Sequence, residues 1–270
     1  MPTTYTQSMF DTIKSALSRS ASGPNTKYKE IMRLEPGNTY TLRLVPNVED
    51  PGKTFFNYFS HSWESFATGQ FVTTVSPQTF GEPDPIAQVK FSLMKHGSPE
   101  EKSKAEKILR RENWLANVYV VSDPKNPDNN GKVKLLRFGR QIHKIIVEAI
   151  EGEDAEDFGP KIFDLSSNGC NFKIKVERQG EYPTYVSSRF APSSKISEMT
   201  DDKLEEVYKN AHDLETVFTV KSTEEMKKML DEHFYCKQSS TVEDAWNPEP
   251  VADESMSKKK ETVPPAADES

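Results

Sequence analysis

Arg110, Arg111, Trp114, Lys132, Lys134, Arg137, Phe138 and Arg140 fall in one stretch of this chain, cations interleaved with flat rings. Guanidinium and ammonium groups attract phosphate, and aromatic faces stack on unpaired bases, so the mixture suits a groove for a single polynucleotide strand. Taken singly, each cation is an ordinary solvated charge and Phe138 an ordinary core residue, so the reading rests on the cluster. Trp114 stands beside two arginines at the opening of a strand, where its ring either caps the core or faces the groove. Tyr182 and Tyr185 flank Pro183 in a loop with no obvious sheet face. They are either stacking platforms or rings lying flat over the core with their hydroxyls in water.

Catalysis finds less support. Nothing pairs a nucleophile with a base, sets carboxylates in a recognisable motif, or cradles phosphate in a glycine loop. His61, His96, His143, His212 and His233 are scattered without metal-ligand spacing. Cys170 and Cys236 lie far apart, in neither a metal nor a redox pattern, and read as free thiols of a reducing compartment. The expectation is a binding protein, not an enzyme, with no cofactor.

The net charge of −7 opposes a polyanionic partner, but the charge is segregated. From Glu100 to Val147 there are eleven Lys or Arg against six Asp or Glu. From Glu148 to Asp157 come six acids and no base, and from Thr241 to Ser270 eight acids face only Lys258, Lys259 and Lys260. The 270 residues allow one principal domain with tails. No apolar run approaches the roughly 20 residues of a membrane helix, and the N-terminal stretch has no signal-peptide h-region, which points to the cytoplasm.

Strands and helices must hold these groups. In TYTLRLV, Tyr40, Leu42 and Leu44 alternate against Thr41 and Arg43, the period of a half-buried strand, and Pro46 ends it. KTFFNYFSHSW reads as a two-faced strand, with Phe55, Phe59 and Trp63 on one side and Phe56 and Tyr58 on the other. Residues 70–87 hold Pro77, Pro83 and Pro85 and are expected to form an irregular excursion. Ser98, Pro99 and Glu101 make a capping-box start for a helix expected to run to about Glu112. WLANVYVV and KVKLLRF read as a hairpin joined by the turn-rich SDPKNPDNNG, and Ile142, Ile145, Ile146, Ala149 and Ile150 repeat at helical spacing after it. NFKIKVER is a further alternating strand, leading into the loop QGEYPTY. Leu204, Val207 and Tyr208 fit a helix, and a capping box at Ser222 and Glu225 precedes Met226, Met229 and Leu230. A short amphipathic pattern at Met9, Phe10, Ile13 and Leu17 marks an N-terminal arm. Beyond Cys236 the apolar pattern stops, and the acidic, proline-bearing remainder is expected to be disordered.

From Trp114 to Ile142, WLANVYVVSDPKNPDNNGKVKLLRFGRQI resembles the single-stranded DNA-binding (helix-destabilising) proteins of T-even-type tailed phages. The order matches: aromatic, Ala-Asn, a Val-rich strand, Asp-Pro, a Pro-Asn loop, Gly-Lys-Val, Arg-Phe-Gly and a basic helix start. Weaker similarity runs from about Tyr40 to Phe190. The resemblance implies an OB-fold cleft for the strand, an N-terminal basic arm for cooperativity and an acidic C-terminal segment that recruits replication proteins. It carries the cleft onto Arg110, Arg111, Trp114, Arg137, Tyr182 and Tyr185. Leu136 stands where a family tyrosine is expected, and the arm offers only Lys14 and Arg19. The family's zinc subdomain uses one histidine and three cysteines, whereas here His61 is accompanied by Val75, Asp84 and Ala87. The subdomain is therefore expected to lack zinc and to be held by apolar contacts such as Trp63, Phe66 and Phe71.

The expected architecture is α+β, an OB-fold Greek-key β-barrel with added helices and disordered tails. Its parts are an arm over residues 1–25, a core over 26–199, a helical extension over 200–236 and an acidic tail over 237–270. The expected function is protection of single-stranded DNA in phage replication, recombination and repair, in the cytoplasm of the host bacterium. Expected partners are the strand, further copies of the chain on it, and replication and recombination proteins on the tail. The alternatives are an RNA-binding regulator and an adaptor acting through its tail.

Overall fold

In the computed structural model, residues 27–237 are described, and those up to Cys236 belong to one compact unit. The expected N-terminal amphipathic pattern and the acidic tail lie outside the described residues.

One long strand organises the rest. β4, Leu109–Ser122, is flanked along a single edge by two strands end to end: β1, Thr39–Val45, pairs with its second half and β2, Phe55–Glu64, with its first. Its other edge takes β5, Val133–Phe138, through the hairpin that the Asp-Pro and Asn-Gly residues predict. Beyond β2 lies β3, Phe71–Val75; beyond β1 come β6, Cys170–Lys175, and β9, Arg189–Ser193. All these ladders are antiparallel, and a separate small hairpin joins β7, Glu177–Gln179, to β8, Tyr182–Thr184. The fold is α+β, and among the described ladders the sheet is open rather than a closed barrel.

The central part of β4 is buried on both faces because the alternation of its side chains feeds two cores at once. Ala116, Val118 and Val120 enter a cluster with Leu42, Leu44, Leu136, Phe138 and Phe172, while Leu115 enters another with Tyr58, Leu135 and Phe218. The helix α3, Arg140–Glu151, caps the first cluster with Ile142, Ile146 and Ala149. Arg43, on the polar phase of β1, is fully buried rather than solvated. Its guanidinium donates to Asn171 Oδ1 at 2.6 Å and to the carbonyls of Asp164, Ser166 and Ser194, tying the 164–169 loop to β6 and β9.

A third cluster builds a lobe at the far end of β2. Trp63 packs with Ile86 of α1, Pro85–His96, with Ile108, and with Met226, Met229, Leu230 and Phe234 of α5, Thr223–His233, and the segment after it. Residues 200–236 are therefore packed into the same unit; Val207 of α4, Asp201–Lys209, joins a fourth cluster with Tyr119.

Several expectations need correction. The capping box at Ser98 is formed, but its helix α2 is Pro99–Glu106 and ends before Ile108, so Leu109–Glu112 belong to β4. Pairing with β2 decides this, because it satisfies the backbone of residues 109–112 across a ladder. Residues 70–87 are not wholly irregular: β3 forms there, and Asp84 caps α1 with Pro85 in its first turn. QGEYPTY is a tight hairpin rather than a loop. Phe71 does not hold the lobe, for it is 66% exposed on the edge strand while its neighbour Val72 turns inward.

Candidate nucleic-acid interface

Directly paired strand residues share a face. Trp114 pairs with Asn57 and Phe138, Glu112 with Phe59, and Arg110 with His61. Towards one end this face is buried in the main cluster, and towards the other in the lobe around Trp63. Between them, Asn57 and Arg110 are exposed and Phe59, Glu112 and Trp114 are half-buried. The two packed bodies thus flank a strip of sheet carrying rings and charges.

Each group on the strip is held. The Arg110 guanidinium lies 3.9 Å from the centroid of the Phe59 ring and donates to Gln78 Oε1 at 3.1 Å. Trp114 stacks on His143 of α3 at 4.1 Å and 22°, and more distantly on Phe138 beneath it. Arg140, at the start of α3, donates through Nε and Nη2 to Glu112 Oε2 at 3.3 and 3.2 Å. Asn57 Nδ2 donates to Glu112 Oε1 at 3.3 Å.

The other cluster residues divide. Arg111 follows Arg110 in an extended strand, so it points from the opposite face, where it pairs with Ser60. Arg137 pairs with Leu115, on the face opposite Trp114, and is exposed. Tyr185 is half-buried against the main cluster, and its amide donates to Gln141 Oε1 at 2.9 Å. Burial raises its phenol above the ordinary value, and the charge of Arg137 opposes that shift. Tyr182 is 74% exposed on the β7–β8 hairpin. Lys132 and Lys134 lie towards the opposite end of β5 from Phe138, roughly 13–20 Å away at about 3.3 Å per residue. Lys134 is held by Glu30 at 2.6 Å.

Phe59, Glu112, His143 and Asn57 complete the strip and are absent from the sequence-based set. The alternation of β2 does put Phe59 on one face with Phe55 and Trp63, but only the β2–β4 pairing sets it opposite Glu112. A cavity of about 830 Å³ lies elsewhere, between the 46–53 loop and residues 205–215. Glu49, Asp50, Glu205, Asp213 and Glu215 outnumber Lys53 and Lys209 in its lining, which suits phosphate poorly.

His61 Nε2 lies 2.7 Å from Asp84 Oδ2, Ser76 Oγ donates to the same oxygen, and the Ala87 amide donates to Asp84 Oδ1 at 2.9 Å. The His61 and Asp84 side chains bond each other rather than converging on a shared centre, and Val75 and Ala87 have no donor to offer. These residues do not fit a zinc ion; among the described residues no group of three His, Cys, Asp or Glu is placed to hold a metal.

The α+β body thus carries one strip of sheet, between two packed regions, on which Arg110, Glu112 and Arg140 lie among the half-buried rings of Phe59 and Trp114. Residues 35–260 match the family model described as gp32 DNA binding protein like, and the chain belongs to that family. The single-stranded DNA-binding proteins of Enterobacteria phage T4 and Enterobacteria phage T2 are each 27% identical to it over 179 residues, 64% of this chain. The chain spans 57% of the length of these curated relatives in that match. Among the described residues no helix is long and apolar enough to cross a membrane.

Proposed function

We propose that this chain binds single-stranded DNA along the β2–β4 strip, with little sequence preference, and serves phage replication, recombination and repair by protecting the exposed strand. The open sheet is read as an OB-type core, and the Trp63 lobe as the counterpart of a zinc subdomain built without zinc. The observation that carries the reading is Trp114, half-buried on a ledge formed by His143 and Phe138, with Arg110 and Arg140 at either side. Bases stack on the rings and phosphates meet the guanidinium groups. The names of the two phage relatives support the same ligand. On this reading the acidic tail, residues 237–270, recruits replication and recombination proteins and competes for the cations until DNA displaces it.

Titration with poly-dT at several salt concentrations, followed by tryptophan fluorescence, tests it. In Trp114→Ala the quenching contributed by Trp114 is expected to be lost and the affinity, read from the anisotropy of a labelled oligo-dT, to fall about 5- to 150-fold, the range for ~1–3 kcal/mol of stacking per base. With about three phosphates engaged, the log–log salt slope is expected near −2. Unchanged affinity in Trp114→Ala refutes the site. Equal competition by poly-U would assign the same groove to either sugar.

A further inference from the structure

A carboxylate sits where a polyanion is expected to lie. Glu112 is on the same face of β4 as Arg110 and Trp114, two residues from each, and Phe59 stands opposite it. Its side chain is only 25% exposed, and both oxygens are engaged, Oε2 by Arg140 and Oε1 by Asn57. Arg140 itself is 81% exposed and projects from the first residue of α3. A surface optimised only for phosphate would carry no anion at its centre, since at about 6–7 Å a like charge costs roughly tenfold in affinity at intermediate dielectric.

We infer that Glu112 is a specificity-determining residue that makes the groove select strands bearing bases over bare polyanions. This rests on the reading of the β2–β4 strip as the DNA site. Glu112 repels phosphate from the floor between Arg110 and Trp114, so a phosphate chain can lie only along the rim. A strand with bases satisfies both halves: its rings turn inward over Phe59 and Trp114, and its phosphates turn outward. Base edges also carry N–H donors that a carboxylate can accept, as Glu does from cytosine N4. A polyanion without bases has nothing to set against the Glu112 charge. Arg140, tethered to Glu112 from the exposed side, is held at the rim where the phosphates pass.

The experiment compares the full chain with its Glu112→Gln variant for binding to oligo-dT, oligo-dC and an abasic deoxyribose-phosphate oligomer of equal length. Glutamine keeps the shape and can still accept from Asn57, and thermal unfolding of the variant verifies that it folds. Abasic affinity is expected to rise about tenfold in the variant, while oligo-dC affinity changes less than threefold. The abasic salt slope is expected to steepen by about 0.7, one further phosphate contact, as Arg140 is released. Arg140→Gln, which leaves Glu112 in place, should weaken all ligands and preserve the preference for bases. An equal rise for all three ligands would make Glu112 a plain electrostatic penalty and overturn the inference, as would no change. If the unmodified chain fails to bind oligo-dT, the reading of the strip falls first and the inference with it. If it binds and Glu112→Gln leaves the base-to-abasic ratio unaltered, only the inference falls.

Discussion

Replacing Asp84 with asparagine should destabilise the chain by a predictable, pH-dependent amount. Asp84 is buried, capping α1 while accepting from His61 of β2 and Ser76 after β3, so one carboxylate joins three segments of the lobe. Burial alone would push its pKa up, but the hydrogen bonds from His61, Ser76 and the Ala87 amide outweigh it and hold the group at about 2 against an ordinary 3.8. At about 1.4 kcal/mol per tenfold, that gap is worth ~2.5 kcal/mol of stability. Because the folded pKa is the lower one, the contribution is complete above pH 4 and fades as pH falls towards 2. Asp84→Asn cannot titrate and should unfold about 2–3 kcal/mol more easily at pH 5, a loss of roughly 5–10 °C in Tm for a domain of this size. The gap to the unmodified chain should shrink by pH 2. Urea or thermal unfolding of both proteins at pH 5 and pH 2 measures this. A difference below about 0.5 kcal/mol at pH 5, or one that does not narrow at pH 2, refutes the assignment of the lobe's cohesion to this carboxylate.

The same lobe should be indifferent to chelation, so EDTA is expected to leave the melting curve in place; a fall in Tm would show that a metal holds the fold. Arg110→Glu should weaken poly-dT binding at least tenfold, whereas Lys132→Glu, at the far end of β5, should change it less than about threefold in fluorescence titration at 0.15 M salt. Arg43→Ala strips the donor from Asn171 and three carbonyls in a fully buried site and should cost about 3–5 kcal/mol in urea unfolding, since each unsatisfied acceptor costs about 1–3 kcal/mol. Deleting residues 242–270 should raise affinity for short oligonucleotides at low salt, and unchanged binding would remove the competition attributed to the tail.

What was legible in the sequence followed from local chemistry. Alternation in TYTLRLV, the hairpin signals around Asn130 and Gly131, and the capping boxes at Ser98 and Ser222 each involve neighbours whose preferences agree, and each forms. The misreadings share a cause. Ala105, Ile108 and Leu109 fit a helical period, yet the partner for residues 109–112 is β2, some fifty positions earlier, and no local pattern reports it. Arg43 occupies the polar phase of β1, and only the 164–171 segment folding over it makes that phase an interior. Lys134 belongs to a basic stretch, but Glu30 neutralises it from a distant part of the chain. Clustered charge in a sequence says that cations are near one another in number; which face they share is settled by register.

Register is also what makes the strip possible. A slip of one residue in β4 would exchange Arg110, Glu112 and Trp114 for Arg111, Asn113 and Leu115 on the face of the strip, and would drive Ala116, Val118 and Val120 out of the main cluster. The buried half of β4 therefore determines the composition of its exposed half. In the wrong register Leu115 and Val118 would each turn into the core fitted to the other face, and mismatched volumes at buried sites cost about 1–3 kcal/mol each, so the slipped pairing is disfavoured. The consequence is directional: Arg110 and Arg111, adjacent in the chain and identical in charge, cannot substitute for each other. Arg111→Glu should therefore spare poly-dT binding under conditions in which Arg110→Glu abolishes most of it. Equal losses in the two variants would mean that the strand contacts both faces of the sheet, and would overturn the proposal that the β2–β4 strip alone binds it.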